Sequence, residues 1–180
     1  MELRPLNPKD EELYARAFSL YEAAFPVQER RDAREHQRVM ENPDYRPAVL
    51  LEKGQFLGIV FYWETEGFIF LEHFATLPAL RNQGIGARAL AQLKAKGKPI
   101  LLEIEPPEDE LTNRRYGFYR RNGFVMNPHR HIQPKYHRGD PDLELKILSY
   151  PAPVDEAFYR HFRSYLSRAA ETPQGKTLAF

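Results

Sequence analysis

Two glycines and an arginine in the segment FATLPALRNQGIG, residues 74–86, form the clearest candidate for a ligand site. Gly84 and Gly86 stand at the start of a predicted amphipathic helix, and Arg81 precedes them in a short loop. The first amides of a helix have no partner within it, and glycine lets an anion approach them without interference from a Cβ. The helix dipole adds positive potential at the same end. The pattern therefore predicts a seat for a diphosphate on the amides of Gln83–Ala87.

The spacing of the glycines departs from two common nucleotide-binding motifs. A P-loop would close with Gly-Lys-Ser or Gly-Lys-Thr, whereas Gly86-Ala87 stands here. A dinucleotide fold uses GxGxxG, in which Ala89 could replace the third glycine and Glu105 could be the later acidic residue. A dinucleotide-binding oxidoreductase domain stays open as an alternative, but it requires parallel strands before the loop. The hairpin signals at Gly54 and Gly67 argue against such strands.

A second group of chemically active residues lies in the stretch NPHRHIQPKYHRGD. Its histidines and cations are His129, His131, His137, Arg130, Lys135 and Arg138. The His-x-His spacing suits a metal, but the stretch has a single close carboxylate at Asp140, and we expect no metal site. We expect a flexible surface loop, with recognition of an acidic or phosphorylated substrate as the alternative role.

Hydrophobic periodicity and turn signals predict the elements that position these residues. Strands are predicted at Met1–Leu6, 47–52, 55–64, 68–76, Pro99–Glu105 and 143–150. Helices are predicted after the Asn7-Pro8 cap, over a charged and mostly solvent-facing segment from Glu29 to Met40, after Gly84, after Glu108, and from Val154 to Ala169. The three strands before the glycine loop read as an antiparallel meander. The helical crossover that follows makes the next strand parallel to the third of them.

Two motifs in this frame resemble the signature of the GCN5-related N-acetyltransferase (GNAT) superfamily. The first, Arg/Gln-x-x-Gly-x-Gly/Ala, is present as Arg81-Asn82-Gln83-Gly84-Ile85-Gly86. The second is Leu102-Glu103-Ile104 followed by the FYxxxGF motif over Phe118–Phe124. The resemblance covers residues 45–126 closely. It implies an α/β acyl-CoA N-acyltransferase fold, whose mixed, mostly antiparallel sheet has two splayed parallel strands and is flanked by helices.

The resemblance implies an enzyme that moves the acetyl group of acetyl-CoA, its cosubstrate, directly to a primary amine. Glu103 matches the glutamate of the family's strand and is the first choice for the base, with Glu72 as its rival. Either carboxylate would be structural if it were paired with Arg or Lys. Tyr119 matches the tyrosine of the second motif, whose hydroxyl lies near the CoA sulfur in the family, and is the candidate acid.

The same resemblance implies that the cofactor lies between the two parallel strands. Backbone groups of Phe74 and Thr76 would pair with the pantetheine arm, and an N–H near Ala75 would polarise the thioester carbonyl. The predicted diphosphate contacts are Arg81, Asn82, Gln83, Gly84, Ile85, Gly86 and Ala87. Many members carry asparagine seven positions before the motif tyrosine. This chain has Thr112 there and Asn113 beside it, and both are candidates for a contact with the arm.

Composition narrows the class of protein. The 180 residues carry a net charge of only +1, which gives no general basic field for nucleic acid. Cysteine is absent, which excludes disulfides, thiolate nucleophiles and cysteine-bound zinc. The chain shows neither an apolar leader nor a run long enough to span a membrane. We expect a cytoplasmic protein with a single domain over residues 1–171 and a mobile tail at 172–180.

Two questions stay open on the sequence. The acceptor is a small-molecule amine or a peptide amine, and the aromatic final helix allows a homodimer. A non-catalytic acyl-CoA-binding module on the same fold is the alternative to an enzyme.

Overall fold

The computed structural model describes residues 1–137 and 139–170. Its strands are β1 (Glu2–Pro5), β2 (Tyr45–Glu52), β3 (Gln55–Glu64), β4 (Ile69–Thr76), β5 (Ile100–Ile104), β6 (Val125–Met126), β7 (His131–Ile132) and β8 (Glu144–Tyr150). Its helices are α1 (Glu11–Ala24), α2 (Ala33–Val39), α3 (Ile85–Lys94), α4 (Glu110–Arg121) and α5 (Glu156–Ala170). Arg138 and the tail predicted at 172–180 lie outside the described residues, and the predicted domain bounds stay a prediction.

The described strands form one mixed sheet in the order β1-β2-β3-β4-β5-β8, and β6 and β7 pair with the second edge of β8. Every neighbouring pair is antiparallel except β4 and β5, which are parallel. The predicted α/β fold class, with its mostly antiparallel sheet and one parallel pair, is confirmed. Because β2, β3 and β4 form an antiparallel meander ahead of the glycine loop, the dinucleotide-binding alternative is excluded.

Each face of the sheet carries its own hydrophobic core. Side chains alternate along a strand, so Phe61 and Trp63 of β3 pack with α1, α2 and α5, whereas Tyr62 packs with α3 and α4. We call these sides the α1/α5 face and the α3/α4 face. In β5 the alternation places Leu101 on the α1/α5 face and Leu102 on the α3/α4 face. Glu103 therefore returns to the α1/α5 face.

The predicted helix cap at Asn7-Pro8 is wrong. The first helix begins at Glu11, and Asp10 is its N-cap, whose side chain accepts the Leu13 N–H at 3.3 Å. An aspartate accepts this hydrogen bond as well as an asparagine does, so the nearer Asp10 closes the turn.

The charged helix predicted over Glu29–Met40 is shorter than expected. A 3-10 turn occupies Val27–Glu29, and α2 begins only after a capping box formed by Asp32 and Glu35. The outer side of α2 is exposed as predicted, but His36 is completely buried. An isolated histidine in a charged stretch gives no periodic signal for burial, because the helix is only seven residues long.

The stretch NPHRHIQPKYHRGD, residues 127–140, is predicted to be an irregular surface loop, and this is wrong at His131–Ile132. The two-residue strands β6 and β7 pair with β8, with Val125 opposite Ser149 and His131 opposite Leu145. Strands this short leave no alternation for sequence reasoning to detect. Their pairing brings His131 into the protein interior.

None of the helices in the described part of the chain is long and apolar enough to cross a membrane.

Candidate functional site

The glycine loop leaves the first turn of α3 open to a ligand. Asn82 and Gly84 have positive φ angles of 64° and 73°, so the chain turns sharply before the helix begins. Among the described residues no side chain caps α3, which leaves the amides of Ile85, Gly86 and Ala87 without a partner inside the helix. A Cβ on Gly84 would meet nothing within 4 Å. The loop therefore has the free donors and the open space that a diphosphate needs.

Gly86 differs from Gly84 in its role. A Cβ at Gly86 would lie 2.9 Å from Cζ of Phe118 and 3.6 Å from Cζ of Phe74. A side chain at position 86 would therefore require the Phe118 ring of α4 to shift. Gly86 allows this close packing of α3 against α4, and its predicted anion contact depends on its N–H alone.

The parallel strands β4 and β5 are paired over three positions only. Pairing ends where Leu71 lies opposite Leu102, although β4 continues to Thr76 and β5 continues to pair with β8. Beyond Leu71, one edge of β4 therefore has no strand partner within the described residues. We call this space the β4/β5 gap, and it is the predicted place of the pantetheine arm.

Backbone alternation decides which groups of β4 face this gap. Leu77 donates its N–H to Leu57 at 2.9 Å, so its backbone faces β3. By alternation Ala75 also faces β3, whereas the backbone groups of Phe74 and Thr76 face the gap. The arrangement agrees with Phe74 and Thr76 as partners for an extended arm. The N–H of Ala75 itself lies on the other side, so the predicted donor near Ala75 would have to belong to Phe74 or Thr76.

Glu72 lies at a bulge in β4, and neighbouring side chains bind both oxygens of its carboxylate. Phe61 pairs with His73 and Tyr62 pairs with Leu71, so Glu72 has no partner residue on β3. Its carboxylate accepts two hydrogen bonds from Arg31, at 2.8 and 2.9 Å.

The electrostatics of Glu72 follow from this pairing. Burial alone would raise the pKa of the Glu72 carboxyl, but the Arg31 guanidinium and the neighbouring His73 outweigh it and hold the pKa well below its usual range. Tyr136 donates a third hydrogen bond to the same carboxylate at 3.1 Å. Glu72 is therefore an ionised anchor whose oxygens are already engaged.

Arg31 and Tyr136 form a wall over this side of β4. Arg31 is 3% exposed and its guanidinium lies 4.8 Å from the centre of the Tyr136 ring. His73 donates to the Glu29 carbonyl at 2.8 Å, which fastens the same segment to β4. The charged stretch before α2 therefore covers the sheet beside the β4/β5 gap.

Glu103 lies across the gap from Glu72, one residue past the last parallel pair. Both glutamates line a narrow cavity on the α1/α5 face, together with Trp63, Phe70 and Tyr136. One oxygen of Glu103, Oε1, contacts Nε2 of His131, while Oε2 has no hydrogen-bond partner among the described residues. Of the two candidate bases, Glu103 is the one with a free oxygen.

Tyr119 lies on the α3/α4 face, on the other side of the sheet from Glu103. Its ring packs against Phe118 and Phe124, with centroids 5.1 and 5.6 Å away. Burial raises the pKa of its hydroxyl to about 12. The hydroxyl is therefore protonated at neutral pH and can act as a donor.

Thr112 and Asn113 are engaged by the cap of α4. The Thr112 side chain is part of a capping box with Asp109, and its hydroxyl accepts the amides of Glu108 and Asp109. Asn113 donates to the carbonyls of Pro107 and Asp109, at 3.1 and 2.7 Å. A contact of either residue with the cofactor stays a prediction, and it would require the cap to rearrange.

Arg81 reaches a groove beside the anion seat. The groove has a volume of about 560 Å³ and lies between α1 and the end of β4, with Phe56 and Leu77 in its lining. Arg16 of α1 also lines it, stacked over the Phe56 ring at 5.2 Å. The groove therefore combines apolar surface with two arginines.

Four residues of the site escaped sequence reasoning. Arg31, His131, Tyr136 and Tyr159 all contact one of the two glutamates directly or through one side chain. The expectation that the histidine stretch is a surface loop is wrong for His131. No periodic signal marks this burial, because His131 lies in a strand of only two residues. The described part of the chain holds no group of three or more side chains arranged to bind a metal.

Comparisons with known proteins agree with this architecture. The sequence model of the acetyltransferase (GNAT) domain family matches residues 43–126 of this chain. A Bacteroides thetaiotaomicron structure, named as an acetyltransferase from the GNAT family, is 30% identical with a TM-score of 0.86, and the match covers 92% of this chain and 96% of that one. The Bacillus subtilis (strain 168) protein YjbC, named as an acetyltransferase, is 41% identical over 68 residues. That match spans 37% of this chain and about a third, 35%, of the curated relative.

More distant structures share the fold. An aminoglycoside 6'-N-acetyltransferase solved in complex with coenzyme A has a TM-score of 0.59 at 14% identity, over 87% of this chain and 100% of its own. The spermidine N-acetyltransferase SpeG of Vibrio cholerae has a TM-score of 0.60 at 12% identity, over 83% of this chain and 94% of its own.

Proposed function

This chain belongs to the GNAT family of acetyltransferases, and from that premise we propose that it transfers the acetyl group of acetyl-CoA directly to a primary amine. The neighbours named for aminoglycoside and spermidine acetylation support an amine as the acceptor. The neighbour named as a coenzyme A complex supports the cosubstrate.

One observation carries the proposal: the β4/β5 gap runs between a candidate base and a candidate acid. Glu103 lies on the α1/α5 face of the sheet, Tyr119 lies on the α3/α4 face, and the gap separates the strands between them. A thioester held in this gap meets an amine from one side and releases its sulfur towards the other. The uncapped start of α3 provides the anion seat at the end of β4.

The residues divide the work as follows in this proposal. The amides of Gln83–Ala87 bind the diphosphate, and the backbone of Phe74 and Thr76 pairs with the pantetheine arm. Glu103 accepts a proton from the ammonium form of the acceptor through Oε2 and releases it to solvent, which leaves a neutral amine to attack the carbonyl carbon. The tetrahedral adduct then loses its second nitrogen proton to the regenerated Glu103 carboxylate, which passes it to solvent. When the carbon–sulfur bond breaks, Tyr119 donates its proton to the thiolate and regains one from solvent.

The test is a panel of primary amines assayed for release of free thiol with a disulfide dye. The chain has no cysteine, so every thiol that appears belongs to CoA. Amino acids, amino sugars, polyamines and peptides with free N-termini cover the acceptor classes left open by the sequence. Turnover that requires one class of amine supports the proposal. Tight acetyl-CoA binding without turnover on any amine overturns it in favour of a non-catalytic binding module.

A further inference from the structure

Three side chains from three separate elements form a connected series that ends at Glu103. His131 comes from β7, Tyr159 from α5 and Glu103 from β5. The His131 side chain is 0% exposed, with Nε2 against Glu103 Oε1 and Nδ1 3.0 Å from the Tyr159 hydroxyl oxygen. Tyr159 is itself fixed, because His129 stacks face to face on its ring at 4.2 Å between centroids.

The positions of the hydrogens show how His131 and Tyr159 affect the Glu103 carboxylate. The Tyr159 hydroxyl has one hydrogen and two acceptors within reach, the Arg130 carbonyl at 2.8 Å and His131 Nδ1 at 3.0 Å. Whichever of these two acceptors the Tyr159 hydroxyl binds, a hydrogen must lie between His131 Nε2 and Glu103 Oε1. A carboxylate oxygen and a ring nitrogen without a hydrogen would repel each other. Oε1 is therefore engaged by His131, and Oε2 is the oxygen without a hydrogen-bond partner among the described residues.

From this geometry we infer that His131 is a positioning residue for Glu103: held by Tyr159, it binds Oε1 and presents Oε2 to the β4/β5 gap. The inference rests on the proposed function, in which Glu103 is the base. It gives the histidine stretch a role beyond that of a surface loop. It also explains why the two glutamates differ, since Arg31 and Tyr136 engage both oxygens of Glu72 and His131 engages only one of Glu103.

A purely structural role predicts a different outcome from a positioning role. If His131 only fills space or supports folding, its replacement lowers stability by the same amount whether or not residue 103 is ionisable. If it acts through Glu103, its effect on turnover requires the Glu103 carboxylate. A double-mutant cycle separates the two because the coupling of neighbours appears as non-additivity.

The experiment compares His131→Leu, which removes the donor, with His131→Gln, which keeps an N–H near the position of Nε2. With the best amine of the panel, we expect His131→Leu to lower kcat about a hundredfold, within the range of general base catalysis, and to leave the KM for acetyl-CoA within about threefold. His131→Gln should recover about tenfold of that loss. In the Glu103→Gln background, His131→Leu should have no further effect on kcat.

Tyr159→Phe keeps the proposal testable if His131→Leu does not fold. It leaves the ring in the core and removes only the hydroxyl that holds Nδ1, and we expect kcat to fall about tenfold with folding retained. A kcat unchanged in both the His131 and Tyr159 variants overturns the inference. A loss from His131→Leu that is as large in the Glu103→Gln background also overturns it.

A readout without turnover separates this inference from the proposed function. In NMR spectra of the intact protein, the Nε2 hydrogen of His131 should give a far-downfield signal that moves or disappears in Glu103→Gln and persists in Tyr119→Phe. If the wild type acetylates no amine but shows this signal, the proposed function fails while the contact stands. If the wild type is active and the signal is insensitive to Glu103→Gln, the inference fails alone.

Discussion

At the scale of single residues, the site depends on two glutamates that face the same cavity but differ in their hydrogen-bond partners. Glu72 is buried against a guanidinium, and removing one partner of such a pair costs about 3–5 kcal/mol because the other charge is left uncompensated. Its carboxylate is therefore held by hydrogen bonds from Arg31 and Tyr136. Glu103 keeps one oxygen towards the gap, and this difference makes it the base of choice.

Tyr119→Phe tests the acid at the other end of the reaction. We expect kcat to fall by about a hundredfold or more, because general acid catalysis contributes roughly 10²–10⁴-fold. The affinity for CoA should change by less than about threefold, since the hydroxyl is asked to act only on the departing sulfur. The measurement is steady-state kinetics of thiol release, together with calorimetric titration of CoA.

Tyr116→Phe is the matched control for this substitution. Tyr116 lies one turn before Tyr119 on α4 and is partly buried against the same core. Removal of its hydroxyl should leave kcat within about twofold. Equal losses in the two variants would show that the helix tolerates neither change and would remove Tyr119 from the acid role.

The sequence identifies Tyr119 and Glu103 as candidate site residues, because both lie in short motifs with fixed spacing. It does not identify the residues that contact them. Arg31 and Glu72 are far apart in the chain, and only the fold brings them within 2.8 Å. His131 escaped because a two-residue strand is too short to show a period, and burial of histidine has no sequence signal of its own.

At the scale of elements, the junction between β4 and α3 determines how the cofactor is held. The meander, the helical crossover and the parallel pair follow from hairpin glycines and from the length of the crossover, so the sequence predicts them well. The divergence of β4 and β5 does not follow from local pattern. It depends on β5 continuing to pair with β8 after its pairing with β4 has ended. Such pairing between segments that are distant in sequence leaves no local signal.

A pair of substitutions at Gly84 tests the anion seat. Asparagine and aspartate tolerate a positive φ better than other side chains and have the same shape, so both variants should fold. Gly84→Asp places a negative charge beside the predicted diphosphate and should weaken CoA binding about tenfold or more relative to Gly84→Asn. Isothermal titration with CoA measures the difference, and equal affinities would place the diphosphate elsewhere.

The arginine groove leads to a separate prediction about the nucleotide end of the cofactor. Arg16 and Arg81 both line this groove. The 3'-phosphate of CoA is negatively charged, and we predict that these arginines bind it. We expect CoA to inhibit turnover more strongly than 3'-dephospho-CoA in the wild type. Arg16→Ala should reduce that ratio by at least about threefold while leaving inhibition by dephospho-CoA unchanged.

Lys9→Ala is the control for the loss of a positive charge elsewhere, since Lys9 is exposed and lies outside the groove lining. A ratio that persists in Arg16→Ala would exclude the groove as the seat of the 3'-phosphate.

At the scale of the whole molecule, a buried histidine should link stability to pH. His36 of α2 is completely buried, hydrogen-bonded to Tyr14 at 3.1 Å and close to the Tyr45 hydroxyl at 3.4 Å, with Arg31 nearby. Burial, reinforced by the positive charge of Arg31, lowers the pKa of His36 to about 3. In the unfolded chain the same group titrates near pH 6.5.

The sign of the effect follows from which state binds the proton. Between about pH 6.5 and 3 the unfolded chain is protonated at His36 and the folded protein is not, so the free energy of unfolding falls as the pH falls. Each pH unit in this window costs up to about 1.4 kcal/mol. The Glu72 carboxyl, whose pKa is lowered in the folded state, contributes stability that is lost only below its ordinary range near 4.5.

The interval from pH 7 to 5 lies above the range in which the Glu72 contribution is lost, so it is the interval in which we test His36. We expect the wild type to lose about 2 kcal/mol of unfolding free energy over this interval, measured by urea titration at each pH. His36→Gln keeps a hydrogen-bonding side chain but cannot be protonated, so it should be less stable at pH 7 and much less sensitive to pH. His161→Gln changes an exposed histidine of α5 and should retain the full slope. If His36→Gln loses stability between pH 7 and 5 as steeply as the wild type, the linkage lies with another group.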